Sequence, residues 1–175
     1  RRLMNYKAKL HDIKAFVFDY DGVISDGNIW SADDKIIVRS GNVKDGYAIQ
    51  YALRKGYTVA VLSGGNGTSI QARMKMLGVE DVYLGSHRKM EIFENFLKEK
   101  SLKAEQVLYV GDDIPDYDVM KVVGVAACPA DAAEEIKAVA DYISRRTGGH
   151  GCVRDVIEQV LRLQGQWFHE DAKAW

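Results

Sequence analysis

The segment Phe16-Val17-Phe18-Asp19-Tyr20-Asp21-Gly22-Val23 runs three apolar residues into two carboxylates one residue apart, and a glycine closes the turn. A short, continuously apolar run of this kind suits a strand buried on both faces of a parallel sheet. Ligands of open α/β sheets bind just beyond the carboxyl ends of such strands. Asp19 and Asp21 are therefore expected to project into a site. Two negative charges buried together are costly unless a cation lies between them, which points to a divalent-metal, phosphoryl-transfer type of centre.

Outward from this segment, strand and helix patterns alternate, as in an α/β sandwich with a mainly parallel central sheet. Asp26-Gly27 is a turn signal. A β-hairpin is expected over about 28–38, from Asn28-Ile29-Trp30 through a Ser31-Ala32-Asp33-Asp34 tip to Lys35-Ile36-Ile37-Val38. The spacing predicts a helix from Asp45 to Lys55, a strand from Tyr57 to Leu62, and a helix capped by Thr68 or Ser69 and ended by Gly78. Further on come a strand at Val82-Tyr83-Leu84 and a helix capped by Ser86 that runs to Lys100. A strand from Gln106 to Val110, a short helix after Pro115, a strand from Val122 to Ala126 and a helix from Asp131 to Ala138 follow. Thr147-Gly148-Gly149-His150-Gly151 reads as a flexible hinge. Val153, Val156, Ile157, Val160 and Leu161 fall on one face of a last helix, and the tail 164–175 has little pattern beyond Trp167 and Trp175.

Three of the expected strands end in polar residues: Asp19 with Asp21, Ser63, and Asp112 with Asp113. On one sheet edge, two carboxylate pairs and a hydroxyl suit a hard cation with oxygen ligands, and Mg²⁺ takes one or two carboxylates together with phosphate oxygens and water. Lys89 adds positive charge. In the first turn of a helix the dipole disfavours a cation, so a lysine there is best explained if it reaches an anion such as a phosphate or Asp19.

Asp-x-Asp-Gly-Val, Ser-Gly, Lys and Gly-Asp-Asp-x-x-Asp, in that order from Asp19 to Asp116, resemble the motifs of the haloacid dehalogenase-like phosphatases. The resemblance implies a Rossmann-like three-layer sandwich. It makes Asp19 the nucleophile and Asp21 the acid and base. Ser63 and Lys89 then steady the phosphoryl group. Asp19, Asp112 and the Asp21 carbonyl hold Mg²⁺, backed by Asp113 and Asp116. Because Asp21 can protonate an alkoxide, a phosphatase is favoured over a dehalogenase.

The intervals Asp19–Ser63 and Ser63–Lys89 are filled by the elements above and leave no room for a cap domain. The site of such an uncapped enzyme is closed by a neighbouring subunit or acts on something large. The protruding hairpin is the candidate for pairing in a homo-oligomer, since an isolated one is only marginally stable.

The uncapped form narrows the resemblance to the 3-deoxy-D-manno-octulosonate 8-phosphate (KDO 8-phosphate) phosphatases. Further shared features are Ser25-Asp26-Gly27, Asn42-Val43-Lys44-Asp45-Gly46 and Gly148-Gly149-His150-Gly151-Cys152-Val153-Arg154. This implies a homotetramer whose hairpins wall neighbouring sites, a tail able to reach an adjacent site, and a place in lipopolysaccharide precursor synthesis. Expected substrate contacts are Asp21, Asn42, Val43, Lys44, Asp45, Gly46, Gly64, Gly65, Arg73 and Lys89. Arg73 would suit a sugar-acid carboxylate with its planar fork. The family usually has arginine at Lys44, Gln50 and Gly65. Its nine-carbon relatives, phosphatases of keto-sugar acid 9-phosphates, carry an acidic residue at Gly65 and a different loop at 42–46, so the eight-carbon acid is preferred. A phosphatase for another phosphorylated substrate is the alternative. A phosphoacceptor receiver domain, from a different class, places a lone acceptor aspartate on a middle strand and the acidic pair on the first, unlike this order.

Composition sets the outer bounds. The 175 residues, 47% hydrophobic and 28% charged, suit one domain spanning 1–175. A net charge of −1 gives no bias toward nucleic acid or an anionic membrane. No apolar run has the length of a membrane span or a signal peptide. Met4 reads as a natural start. Cys128 and Cys152 lack metal-ligand spacing and read as free thiols, which with the rest suggests the cytoplasm. His11, His87, His150 and His169 are scattered and read as structural or solvated.

Overall fold

A computed structural model describes residues 5–33 and 35–175. The start at Met4 and the Asp34 part of the hairpin tip lie outside the described residues. In chain order the elements are α1 (Tyr6–Lys9), β1 (Ala15–Phe18), β2 (Ile29–Ser31), β3 (Ile37–Arg39), α2 (Val43–Arg54), β4 (Thr58–Leu62), α3 (Thr68–Leu77) and β5 (Asp81–Tyr83). They continue with α4 (Lys89–Lys100), β6 (Val107–Val110), α5 (Tyr117–Val122), β7 (Val125–Cys128), α6 (Glu134–Val139), β8 (Tyr142–Ile143) and α7 (Cys152–Leu163).

Six strands form one sheet in the order β5-β4-β1-β6-β7-β8, and every pairing in it is parallel. β1, β6 and β7 are buried along their whole length, which is why their sequences are apolar without alternation. Phe16, Phe18, Val59, Val61, Leu108 and Val110 face α2, α3 and α7 on one side. Ala15, Val17, Ala60, Leu62, Val107 and Tyr109 face α4, α5 and α6 on the other. The result is a three-layer α/β/α sandwich with two cores. β2 and β3 form a separate antiparallel hairpin. No lid domain is inserted between β1 and α4 among the described residues, and none of their helices is long and apolar enough to cross a membrane.

Chain order along the sheet reverses at β1, whose neighbours are β4 and β6. Phe18 pairs with Val61 and with Val110, so the ends of three strands stand level and a crevice opens beyond them.

Several local expectations shift. Asn42, not Asp45, starts α2, its Oδ1 accepting from Asp45 N at 3.0 Å. Thr68 and Ser69 do not cap α3, which Gly67 precedes without a side-chain bond. Ser86 turns its Oγ to Tyr83 O at 3.2 Å, so it closes the turn after β5 and α4 begins only at Lys89. Val122 ends a helix rather than opening a strand, because Gly124 N bonds Ala104 O at 2.9 Å and bends the chain first. Ala133 N is held by Asp112 O at 2.8 Å, which delays α6 to Glu134.

The expected hinge at 147–151 is instead a docked loop. Gly149 N bonds Val23 O at 2.9 Å and Gly148 N bonds Asp131 Oδ1 at 3.0 Å. A methyl group on Gly148 would overlap the Gly22 carbonyl. The tail is also ordered against its own α2. Tyr51 Oη donates to Asp171 Oδ1 at 3.0 Å, Lys55 pairs with Asp171 at 2.8 Å, and Trp167 stands edge-on to Tyr47 and Tyr51.

Candidate active site

Beyond the strand ends lies a cleft of about 290 Å³ lined by Asp19, Asp21, Gly27, Ser63, Gly64, Gly65, Lys89, Asp112, Asp113 and Pro115. Asp19 follows β1 directly, with its N–H on Val110 O at 3.0 Å. The chain then turns through Tyr20–Ile24, closed by Ser25 N on Tyr20 O at 2.9 Å. Gly22 takes φ +85° within that turn, and any side chain on it would overlap the Asp112 carboxylate. The turn thereby brings Asp19 and Asp112 close together.

Lys89 joins them from the first turn of α4. Its side chain is buried, and Nζ lies 3.2 Å from Asp19 Oδ1 and 2.7 Å from Asp116 Oδ1. Burial works against the ammonium, but Asp19 and Asp116 outweigh it and raise the Lys89 pKa above its ordinary value. Asp116 is wholly buried and saturated. Its Oδ1 accepts from Lys89 and from Tyr109 Oη at 2.6 Å, and its Oδ2 from Asp112 N at 3.0 Å and Asp113 N at 3.4 Å. Asp116 therefore fixes the 112–113 turn and Lys89. Asp113 is exposed on the cleft rim and caps the following turn through Ile114 N at 2.8 Å.

The donor set fits a divalent cation. One oxygen each of Asp19, Asp112 and Asp116 falls within 4.8 Å of the others. Asp112 Oδ1 is buried with no hydrogen-bond partner among the described residues, whereas the Asp116 oxygens are already taken. Burial, with Asp116 nearby, pushes the Asp19 pKa well above the usual carboxylate range despite Lys89, and pushes Asp112 up to about 6. An ion of charge +2 between them reverses that pressure. Hard oxygen donors of this kind suit Mg²⁺.

The expected residues separate into two groups. Ser63, Gly64 and Gly65 line the cleft, with Gly65 N donating to Ser63 Oγ at 3.1 Å. Asn42, Val43 and Lys44 line a neighbouring, larger groove with Arg145, Arg146 and His150. Asp45 is buried, and its carboxylate accepts from Gly151 N at 3.2 Å and Arg154 N at 2.9 Å, which caps α7. Gly46 is buried where a side chain would meet Arg73 and Leu77. Arg73 is half-buried between Gly41 and Gly46 and makes no ion pair among the described residues. The four histidines are exposed and none lines the cleft, and both cysteines are buried and free.

Two residues of the site escaped the sequence reading. Tyr109 sits mid-strand among aliphatics, and a buried phenol needs a partner, which was the available signal. Arg39, the last residue of β3, pairs with Asp21 through Nε–Oδ1 at 2.7 Å and Nη2–Oδ2 at 3.2 Å. A charged residue directly after the apolar run Ile36-Ile37-Val38 was its only local mark.

Comparison with known proteins agrees with this geometry. A family model described as haloacid dehalogenase-like hydrolase matches residues 33–124. The chain is 36% identical over 159 residues to the 3-deoxy-D-manno-octulosonate 8-phosphate phosphatase KdsC of Escherichia coli K12, covering 91% of this chain and 85% of that protein. The Moraxella catarrhalis 3-deoxy-D-manno-octulosonate 8-phosphate phosphatase was solved in complex with a magnesium ion, a phosphate ion and KDO. It superposes with a TM-score of 0.90 at 30% identity, over 94% of this chain and 95% of that one. The Yersinia pestis enzyme of the same name gives a TM-score of 0.90 at 31% identity, over 93% and 88%. From these matches, and from an oxygen-lined site at the ends of β1, β4 and β6, the chain belongs to the haloacid dehalogenase-like hydrolases, among their uncapped phosphatases.

Proposed function

We propose that this chain hydrolyses the phosphate monoester of a carboxylated sugar, most closely KDO 8-phosphate, to the free sugar acid and inorganic phosphate. The observation that carries the proposal is the placing of Asp19 against Lys89 at 3.2 Å beside the unpartnered Asp112 Oδ1. Phosphoryl transfer needs positioning and charge neutralisation above all. Mg²⁺ bound by Asp19, Asp112 and the Asp21 carbonyl would neutralise phosphoryl charge and keep the carboxylates ionised.

In the first step an Asp19 oxygen attacks phosphorus, and the P–O bond to the sugar breaks. Asp21 gives its proton to the departing alkoxide. In the second step Asp21 takes a proton from water as that water attacks phosphorus, and the Asp19 carboxylate is released. Lys89 and Ser63 steady the phosphoryl oxygens. Arg73, which pairs with no carboxylate among the described residues, would take the sugar carboxylate, and Lys44 on the larger groove would extend the anionic subsite. The exposed apolar hairpin and the family resemblance support a homotetramer whose hairpins complete each site, and the resemblance supports a place in the cytoplasm.

Replacing the nucleophile tests this. Asp19→Asn should lower kcat for phosphate release by about 10³-fold or more while circular dichroism shows the chain still folded. Retention of more than a few per cent of activity would remove Asp19 from that role.

A further inference from the structure

Arg39, at the end of the hairpin, reaches Asp21 on the cleft lining, and its own side chain is only 4% exposed. Its guanidinium grips Asp21 as a fork, a geometry that fixes both the position and the plane of a carboxylate. The two Asp21 oxygens are not equivalent. Oδ1 receives the short Arg39 Nε bond at 2.7 Å and Ser25 Oγ at 3.4 Å. Oδ2 has only the longer Nη2 contact at 3.2 Å. Oδ2 lies close against Gly65, where a methyl group would stand 2.9 Å from it, 2.9 Å from Arg39 Nη2 and 3.4 Å from Ser63 Oγ, and Asp21, Ser63 and Gly65 all line the cleft. The bare Gly65 backbone thus leaves the space in which the fork fits. Arg39 Nη1 is tied in turn to Asn66 O at 3.3 Å, so the guanidinium spans from the hairpin to the loop after β4.

We propose that Arg39 is a positioning residue for Asp21: it anchors Oδ1 through Nε and leaves Oδ2 aimed into the cleft as the oxygen that exchanges the proton with the leaving group. The inference rests on the reading of Asp21 as acid and base. It makes the hairpin part of the catalytic apparatus of its own chain, in addition to any packing between chains. Lysine at this position keeps the charge but has neither the fork nor the fixed plane.

The test compares two substrates, an alkyl phosphate whose alkoxide must be protonated and an aryl phosphate whose phenolate leaves without help. Asp21→Asn, Arg39→Ala and Arg39→Lys are measured on both, with Mg²⁺ present. General acid catalysis contributes about 10²–10⁴-fold, and a misplacement of an ångström costs on the order of 10²-fold. Arg39→Ala should therefore lower kcat for the alkyl phosphate by about 30–100-fold and for the aryl phosphate by less than about 3-fold, with Arg39→Lys between it and the parent. An equal loss on both substrates for Arg39→Ala, alongside a selective loss for Asp21→Asn, would overturn the role given to Arg39. An equal loss on both for Asp21→Asn would instead overturn the reading of Asp21. Should Arg39→Ala prove unfolded by circular dichroism, Arg39→Lys decides alone, and full parental activity on the alkyl phosphate would refute the proposal.

Discussion

Asp112 shows what the site demands of single residues. Its Oδ1 is buried without a partner and burial lifts its pKa from 3.8 to about 6. The unfolded chain loses this proton near the ordinary value, whereas the folded chain without metal keeps it until about pH 6. Between those values the folded state holds more protons, so its stability falls as pH rises and stays reduced above pH 6. Asp112→Asn removes that penalty. In EDTA at pH 8 it should melt several degrees higher than the parent, equivalent to about 1–3 kcal/mol, and it should lose most of the rise in Tm that Mg²⁺ gives the parent. A variant that melts lower in EDTA, or one that keeps the full Mg²⁺ effect, would contradict the assignment of Asp112 as a ligand. Asp19, Asp21, Ser63, Lys89 and Asp112 were legible because each follows or faces the end of an apolar strand. Tyr109 and Arg39 were not, because their partners lie on other elements and their local marks are shared with any core tyrosine and any arginine ending a strand.

At the level of elements, the turn carrying the acidic pair is braced from far along the chain. The 148–149 loop contacts the Gly22 turn so closely that no side chain fits at Gly148. Gly148→Ala should cost about 2–3 kcal/mol in denaturant melts, as overpacking does in a rigid interior. It should also lower kcat, because Asp19 and Asp21 flank Gly22. Unchanged stability would show that the loop is free to move, as the glycine-rich sequence by itself suggests. Glycine marks a flexible joint and a close backbone contact with the same letters, and only the tertiary partner tells them apart. The same limit explains the boundaries. Apolar content located β1, β4, β6 and α7, whose burial is set by the sheet. The starts of α6 and β7 moved because Ala133 and Gly124 bond groups distant in sequence, and that of α4 because Ser86 closes a turn onto Tyr83 instead of capping the helix. The two-residue β8 is too short to carry a period.

For the whole molecule, the mainly parallel sheet followed from alternating patterns, the three layers from the family resemblance, and a site beyond β1 from the acidic pair that ends its apolar run, whereas the strand order and the reversal at β1 had no local signal. What the chain does not cover is the hairpin. Trp30 pairs with Val38 across it, and with Ile36 these are 59%, 49% and 52% exposed. An apolar strip of this kind marks an interaction surface. The proposed homo-oligomer should pass to smaller species by light scattering, with a lower kcat/KM, when Trp30→Ser and Val38→Ser are combined, and a monomeric parent would remove that role from the hairpin. The tail, in contrast, is held on α2 of its own chain, so its two tryptophans belong first to packing here. The most direct measurement is phosphate release with Mg²⁺ across a panel of KDO 8-phosphate, nine-carbon keto-sugar acid 9-phosphates and neutral sugar phosphates. A kcat/KM for the eight-carbon acid at least 10²-fold above the neutral sugars, abolished by Asp19→Asn, is the predicted result. Equal, weak rates on every substrate, or rates indifferent to Asp19→Asn, would contradict a sugar-acid phosphatase that works through Asp19.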